Sequence, residues 1–248
     1  MTIDKDVIKI ISNARSVVFF TGAGISAESG IPTFRGKDGI WNKLRPEELA
    51  NFDAFMRNPK LVWEWYKHRM EIVHKSEPNA GHLAIAEMQN MFDKVTVVTQ
   101  NIDNLHIRAG SKTVYELHGN IERNYCVKCK QFFNKDFDIS KGAPMCKCGG
   151  LIRPDVVWFG EYLPEDQFTA GDNAARQCDL FFIVGTSGVV YPAASLIFTA
   201  KNNGATLIEI NIEPTEVCSS VNYSLYGKSG SILPELIKLI KDFRDNKD

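Results

Sequence analysis

The sequence predicts an α/β protein in which helices cover both faces of a parallel sheet, with a smaller domain inserted. Three observations lead to this prediction. Short runs of β-branched and aromatic residues alternate with longer segments of helical periodicity, as in βαβ units. These runs are apolar on both faces, which is typical of strands covered by helices on two sides. Two stretches leave the alternation and return to it, which indicates insertions.

The composition is that of an ordinary soluble globular protein. The chain has 248 residues, of which 44% are hydrophobic and 24% charged, enough for one domain with an insertion. Its formal net charge of −1 gives no overall attraction to nucleic acid, so no direct nucleic-acid binding is expected. The N-terminal segment has no long apolar run, and apolar runs elsewhere are strand-sized. We expect a cytoplasmic protein with no membrane association.

The predicted elements alternate along the chain. Strands are expected at residues 16–20, 94–98, 113–117, 155–159, 179–184 and 205–210. Helices are expected at residues 3–13, 79–91, 164–176, 192–202 and 232–243. Residues 36–78 have a wholly helical pattern, and residues 122–150 contain clustered cysteines. We expect these two segments to form the small domain, with residues 1–35, 79–121 and 151–248 forming the large one.

Four cysteines are clustered in a metal-binding pattern. A C-x2-C pair, Cys126 and Cys129, is followed by a C-x-C pair, Cys146 and Cys148. Thiolates at this spacing can bind one zinc ion in a tetrahedron. Two disulfides are the alternative, which a reducing compartment disfavours. A site of four thiolates has no open position for water, so the zinc should be structural.

Polar or glycine-bearing segments follow all six predicted strands. They are TGAGISAESG, TQNID, LHGN, GE, GTSG and NIE. Ligands of open parallel sheets bind outside the carboxyl ends of the strands, so one site along this edge is predicted.

The first of these segments matches a nucleotide-binding fingerprint. Residues 22–27 read G-x-G-x-x-A directly after a strand, where glycines let backbone N–H groups approach a pyrophosphate. Glycines also form ordinary turns, and the usual ribose-binding acid about 20 residues later is missing. Asn211 or Glu213, at the end of the last strand, could replace it. The pattern predicts a nucleotide-binding sheet with unusual connections.

Several motifs together resemble the sirtuins, the NAD-dependent protein lysine deacylases. They occur in the family's order between Val17 and Glu213, and are GAGISAESGIPTFRG, TQNIDNLHIRAG, ELHGN, the four cysteines, RPDVVWFGE, GTSGVVYPA and INIEP. The resemblance implies a Rossmann-like large domain, a zinc-plus-helical small domain and a cleft between them. It implies NAD as co-substrate, and acyl-lysine proteins or peptides that bind across the cleft as an added strand. The products would be nicotinamide, free lysine and O-acyl-ADP-ribose.

The resemblance also implies roles for individual residues. His118 would be the catalytic base, for which a histidine is suited because its ordinary pKa of about 6.5 is close to neutrality; a structural loop histidine is the alternative. Asn101 and Asp103 would also be catalytic residues; the alternative is that they only form a turn after a strand. The implied NAD-binding residues are Gly22, Ala23, Gly24, Ser26, Ala27, Phe34, Arg35, Trp41, Gln100, Asn101, Ile102, Asp103, Gly185, Thr186, Ser187, Asn211, Ile212, Glu213 and Gly230. The implied substrate-binding residues are Ala50, Tyr66, Arg69, Val157, Phe159, Gly160, Glu161, Val189, Val190 and Tyr191.

The segment LVWEWYKHRM bears on the acyl group. On a helix, Tyr66 and Arg69 share one face, and Arg69 could be a solvated charge or part of a pocket. The class III sirtuins have a Tyr-x-x-Arg pair here and remove succinyl, malonyl or glutaryl groups. Ala50 in ELANFDAF resembles the alanine that makes room for them, although Asn51-Phe52 replaces the usual Thr-Pro. A guanidinium matches a carboxylate, so a dicarboxyl preference is predicted.

Three other functions stay open at this stage. An NAD-dependent ADP-ribosyltransferase would share the cofactor chemistry but pass the ribose to a protein nucleophile. A plain deacetylase would lack the preference for a carboxylate. A non-catalytic module stabilised by NAD and zinc would have no need of a base.

Overall fold

The computed structural model describes residues 3–34 and 46–246. Within these ranges, six strands form one parallel sheet in the order β3-β2-β1-β7-β8-β9. They are β1 (Ser16–Thr21), β2 (Lys94–Thr99), β3 (Val114–Glu116), β7 (Leu180–Val184), β8 (Thr206–Asn211) and β9 (Tyr223–Tyr226). The strand order reverses between β1 and β7, which is the topological switch point of a doubly wound sheet. The predicted α/β class is confirmed.

Helices cover both faces of this sheet. On one face lie α1 (Lys5–Asn13), α6 (Ala80–Met88) and α10 (Ser229–Asp245), and on the other lie α8 (Glu165–Gln177) and α9 (Ser195–Asn202). Neighbouring residues of β1 enter opposite cores. Phe19 stacks on Phe182 in the first core, and Phe20 stacks on Phe181 in the second. The strands are therefore apolar on both faces because both faces are buried.

A helical segment and a small sheet share a third core. The helices are α3 (Pro46–Leu49), α4 (Phe52–Arg57) and α5 (Pro59–Lys75). The antiparallel sheet has the order β5-β4-β6, with β4 (Gly119–Cys126), β5 (Phe132–Phe133) and β6 (Ile152–Val156). The Trp63 indole N–H donates to the Ile152 carbonyl oxygen at 2.8 Å, which joins α5 to β6. Two shorter helices, α2 (Ala23–Ser26) and α7 (Leu105–Arg108), follow β1 and β2.

The structure corrects the sequence analysis at two strands. The run at residues 155–159 is not a strand of the parallel sheet, since β6 ends at Val156 and pairs antiparallel with β4. The edge strand β9 is not among the predicted strands. The small sheet spans residues 119–156, slightly beyond the cysteine segment, and the division into two domains stays a prediction.

None of the helices in the two described ranges is long and apolar enough to cross a membrane.

Candidate functional site

The fingerprint glycines lie where the loop after β1 meets the loop after β7. The Gly22 N–H donates to the Val184 carbonyl oxygen at 3.0 Å, and the Gly24 N–H donates to that of Gly185 at 2.8 Å. A Cβ on Gly24 would lie 2.7 Å from Gly185 Cα, and a Cβ on Gly185 would lie 2.4 Å from Ile25 N. Gly185 also has a φ of +58°, which favours glycine. The glycines therefore bring bare backbone to the switch point of the sheet, where a pyrophosphate would fit.

A hydrogen-bond network connects the loops after β1 and β2. The Asn101 amide donates to the Gly22 carbonyl oxygen and to the Ser26 hydroxyl, each at 3.1 Å. The Ser26 hydroxyl donates to the Asp103 carboxylate at 2.6 Å. Burial raises the pKa of Asp103, whereas the Ser26 hydrogen bond, the Leu105 N–H and the charge of Arg69 lower it less. Three predicted NAD-binding side chains are thus joined and nearly excluded from bulk water.

His118 lies beside this network in one definite tautomer. Its Nδ1 atom is 2.9 Å from the Gln100 carbonyl oxygen, which can only accept, so Nδ1 carries the proton. The neutral ring therefore has an unprotonated Nε2. Burial lowers the pKa of His118 from its ordinary value, and the bond to Gln100 raises it in part. A neutral imidazole with a free Nε2 is the form that a general base needs.

The turn that carries His118 requires glycine at the next position. Gly119 has a φ of +80°, and a Cβ there would lie 2.1 Å from the Asp155 carbonyl oxygen of β6. The His118 carbonyl oxygen accepts from the Val157 N–H at 2.9 Å. The main chain of β6 and the residues after it thus fixes the position of the histidine.

Two buried histidines that the sequence analysis did not select lie behind the network. The His82 and His106 rings are 4.9 Å apart. Nε2 of His106 is 2.9 Å from the Thr21 hydroxyl, and Nε2 of His82 is 3.4 Å from that of Ser26. Burial lowers the pKa of His82 to about 4; burial, with the charge of His82, lowers that of His106 well below its ordinary value. The lowered pKa values favour the neutral form of both rings at neutral pH. For His82, the sequence signal was a polar residue within an apolar helical pattern.

Tyr66 and Arg69 are both buried on one face of α5. Their side chains are 2% and 5% exposed, so Arg69 is not a solvated helix charge. The guanidinium carbon lies 4.6 Å from the centre of the Phe34 ring, and Nε has no hydrogen-bond partner among the described residues. Burial lowers the pKa of Arg69, whereas the Tyr66 phenol and the Asp103 carboxylate raise it less. Arg69 is thus electrostatically coupled to a residue of the predicted NAD site.

Other predicted NAD-binding residues line the same sheet edge. The Gln100 amide donates to the Thr186 hydroxyl at 2.9 Å, and the Asn211 amide donates to the Thr186 carbonyl oxygen at 3.1 Å. The Gly230 N–H, in the first turn of α10, donates to the Glu28 carboxylate at 2.8 Å. The remaining residues of these loops follow β1, β2, β7 and β8 directly, and are Ala23, Ala27, Ile102, Ser187, Ile212 and Glu213. Arg35 and Trp41 lie outside the described residues.

Besides Ala50, Tyr66 and Arg69, the predicted substrate-binding residues lie in two segments, one after β6 and one after β7. The Phe159 N–H donates to the carbonyl oxygen of buried Ala50 at 3.0 Å, which joins the helical segment to the chain after β6. Glu161 is engaged internally, because its carboxylate pairs with buried Arg153 and accepts from the Trp158 N–H. The other segment follows β7. The remaining members of the two segments are Val157, Gly160, Val189, Val190 and Tyr191.

The four clustered cysteines come together and are not disulfide-bonded. The sulfurs of Cys126 and Cys148 are 3.5 Å apart, and those of Cys129 and Cys146 are 3.7 Å apart. All four sulfurs lie within 4.8 Å of one another. A tetrahedron with Zn–S bonds of about 2.3 Å has edges of about 3.8 Å, so the donor set and spacing fit a structural zinc ion.

The fold and the site define a dinucleotide-binding protein with a separate cysteine metal site. The family model described as the Sir2 family matches residues 22–192, and the chain belongs to that family. An NAD-dependent protein deacylase of Pyrococcus furiosus is 50% identical over 243 residues, which cover 95% of this chain and 97% of that protein.

Solved structures of similar proteins contain NAD or part of it. A Sir2 homologue mutant in complex with ADP-ribose has a TM-score of 0.94 and 43% identity, with 98% of each chain covered. A Sir2 structure with a p53 peptide and NAD⁺ has a TM-score of 0.87 and 32% identity, with 96% of this chain and 98% of that chain covered. The recognition of the sirtuin family from the sequence is confirmed.

Proposed function

We propose that this protein is an NAD-dependent protein lysine deacylase that prefers acyl groups ending in a carboxylate, namely succinyl and malonyl groups. Membership in the Sir2 family supports the general activity, with acyl-lysine proteins or peptides as substrates. The preference for a dicarboxylic acyl group is the finer part of the proposal, and it depends on Tyr66 and Arg69.

The residues around the glycine loop have the chemistry that deacylation needs. When bound, NAD supplies an electrophilic ribose carbon with nicotinamide as its leaving group. Nε2 of His118 accepts a proton from a ribose hydroxyl, since its Nδ1–H is already bonded to the Gln100 carbonyl oxygen. Asn101 and Asp103 orient the ribose and the carboxamide through polar groups that Ser26 holds in place.

The observation that carries the acyl preference is the buried guanidinium of Arg69. Among the described residues no carboxylate forms an ion pair with it, and Nε has no hydrogen-bond partner. A buried charge without an ion-pair partner is costly, and a carboxylate on the ligand would offset that cost. The terminal carboxylate of a succinyl group would supply both the opposite charge and the acceptors.

The first experiment compares matched peptides that carry succinyl-lysine or acetyl-lysine. A hydrogen bond to a charged group contributes about 1.5–3 kcal/mol, or about tenfold to a hundredfold in kcat/KM. Arg69→Met and Tyr66→Phe should each lower kcat/KM for the succinyl peptide by that factor, mostly through KM. Activity on the acetyl peptide should change far less, because an acetyl group is too short to reach either side chain.

Lys67→Met is the matched control for the loss of a positive charge from α5. Lys67 pairs with Asp136 at the surface and is not part of the acyl pocket, so the succinyl-to-acetyl ratio should not change. An unchanged ratio in both Arg69→Met and Tyr66→Phe would refute the dicarboxyl preference.

The same assays separate the alternatives. A plain deacetylase would favour the acetyl peptide in the wild type. An ADP-ribosyltransferase would release nicotinamide without any acyl-lysine peptide and would transfer the ribose to a protein.

A further inference from the structure

The buried indole of Trp158 contacts the hydroxyl group of Tyr66. Its Nε1–H donates to the Tyr66 hydroxyl oxygen at 2.7 Å, and both side chains are 2% exposed. We infer that Trp158 is a specificity-determining residue, because this bond fixes the Tyr66 hydroxyl as a hydrogen-bond donor toward the acyl group. The inference rests on the proposed dicarboxyl preference and names a residue that sets it from outside the pocket.

The direction of the hydroxyl proton follows from the donor inventory. A phenol has one O–H donor and two acceptor lone pairs, whereas an indole N–H can only donate. Since Trp158 occupies a lone pair of the oxygen, the O–H bond of Tyr66 has to point away from Trp158. In the described part of the chain, the Tyr66 hydroxyl forms no second hydrogen bond. Its proton is therefore available to a ligand.

Tyr66 and Arg69 thus present hydrogen-bond donors and a positive charge to a ligand. Arg69 on the same helix face has N–H groups and no acceptor, and its Nε is unpaired among the described residues. A group that fits must accept at every contact and carry negative charge, as a carboxylate does. A terminal amide of the same shape would bring two N–H donors and no charge. The geometry thus distinguishes succinyl-lysine from its neutral amide analogue, succinamoyl-lysine.

Contacts with Arg153 and Glu161 fix the position of Trp158. The Arg153 guanidinium carbon lies 3.3 Å from the centre of the indole ring, and Arg153 is 1% exposed. The Glu161 carboxylate pairs with Arg153 and accepts from the Trp158 backbone N–H at 2.8 Å. Glu161 therefore positions Trp158, and through it the Tyr66 hydroxyl. Such preorganisation lowers the cost of ordering the Tyr66 hydroxyl on binding.

The test is Trp158→Phe, which keeps an aromatic ring beside Arg153 and removes the N–H donor. The variant is assayed with succinyl-, succinamoyl- and acetyl-lysine peptides and NAD. One neutral hydrogen bond corresponds to about threefold to tenfold in binding. We expect kcat/KM for the succinyl peptide to fall by that factor, through a higher KM. The ratio of kcat/KM for the succinyl peptide to that for the succinamoyl peptide should decrease. Activity on the acetyl peptide should remain.

A double-mutant cycle with Tyr66→Phe tests whether Trp158 acts through the hydroxyl. If it does, Trp158→Phe should have no further effect on the succinyl-to-acetyl ratio when Tyr66 is already Phe. Trp63→Phe is the matched control: it removes another buried indole N–H from the same core, and that N–H donates to Ile152 instead. The succinyl-to-acetyl ratio of kcat/KM for Trp63→Phe should equal that of the wild type.

If Trp158→Phe does not fold, benzothienylalanine at position 158 replaces the N–H by sulfur in nearly the same shape. A wild-type ratio in either variant, together with a lowered ratio in Tyr66→Phe, would overturn the inference and leave the proposed function intact. An unchanged ratio in Tyr66→Phe and Arg69→Met would overturn the proposed function itself. Additive effects in the cycle would also overturn the inference, because Trp158 would then act independently of the hydroxyl.

Discussion

At the residue scale, single hydrogen bonds determine what the polar side chains of the site can do. The bond from His118 Nδ1 to the Gln100 carbonyl oxygen fixes the tautomer, and burial keeps the ring neutral. The motif in the sequence indicated the residue, but the tautomer depends on a carbonyl group 18 residues earlier in the chain. The burial of Arg69 was likewise not predictable from its helix, because Phe34, from a distant loop, covers the guanidinium.

The role of His118 gives a prediction about pH. A base must be unprotonated, so the midpoint of the acidic decline in kcat/KM should lie below the ordinary histidine pKa of about 6.5, because burial lowers the pKa of His118. His118→Ala should lower kcat/KM by about 10²-fold or more and remove this acidic limb. The measurement is the pH profile of kcat/KM between pH 5 and 8.

His74 is exposed and provides the control. His74→Ala should keep the wild-type kcat/KM and its decline at acidic pH. Persistence of the acidic limb in His118→Ala would assign it to another group.

At the element scale, the sequence predicted which segments are strands and helices better than it predicted which sheet they join. The apolar run around Val156 fits a buried strand in either sheet. Its pairing with β4 depends on the close approach of Asp155 to Gly119, a contact between segments far apart in sequence. The strand β9 has four residues and lies at the sheet edge, so its pattern is too short to stand out.

The cysteine segment gives the prediction at this scale. Cys126 and Cys146 belong to the third core, so metal binding and folding of this segment are coupled. Cys126→Ser should lose zinc and lower the melting temperature. The amount of soluble protein should fall more than the activity per folded molecule. Zinc content and thermal melting measure both effects.

Cys218 is exposed and lies outside the cluster. Cys218→Ser should therefore keep zinc and the wild-type melting temperature. A Cys126→Ser protein that lacked zinc but melted like the wild type would contradict the structural role of the metal.

At the scale of the whole molecule, the parallel sheet and the small sheet meet around His118. The sequence predicted that the loops after the strands converge, because parallel strands end at one edge. It did not predict the ion-pair network that joins the two sheets. Arg123 on β4 contacts Glu116 at the end of β3 and Asp155 on β6, with N–O distances of 2.8 Å each. The ion pairs thus connect Glu116, which precedes the turn that carries His118, to Arg123, which follows it.

Removal of Arg123 should weaken this connection. Glu116 is buried, and among the described residues its carboxylate would keep only the Asn120 amide, which donates to it at 2.7 Å. Loss of a hydrogen-bonded charge pair costs about 1.5–3 kcal/mol, and less where the side chain is partly exposed, as Arg123 is. For a chain of this size that corresponds to a fall in Tm of roughly 3–10 °C. Because the turn beside the network carries His118, Arg123→Met should also lower kcat with little change in KM for NAD.

Arg15→Met is the matched comparison, because Arg15 forms an ion pair with Asp93 in which both side chains are largely exposed. Such an exposed, solvent-screened pair contributes little to stability, so the Tm of Arg15→Met should stay within about 3 °C of the wild type. A double-mutant cycle of Arg123→Met with Glu116→Gln should give a coupling free energy above about 0.5 kcal/mol. If Arg123→Met melted like Arg15→Met and kept its kcat, the network would have no part in joining the two sheets or in holding His118.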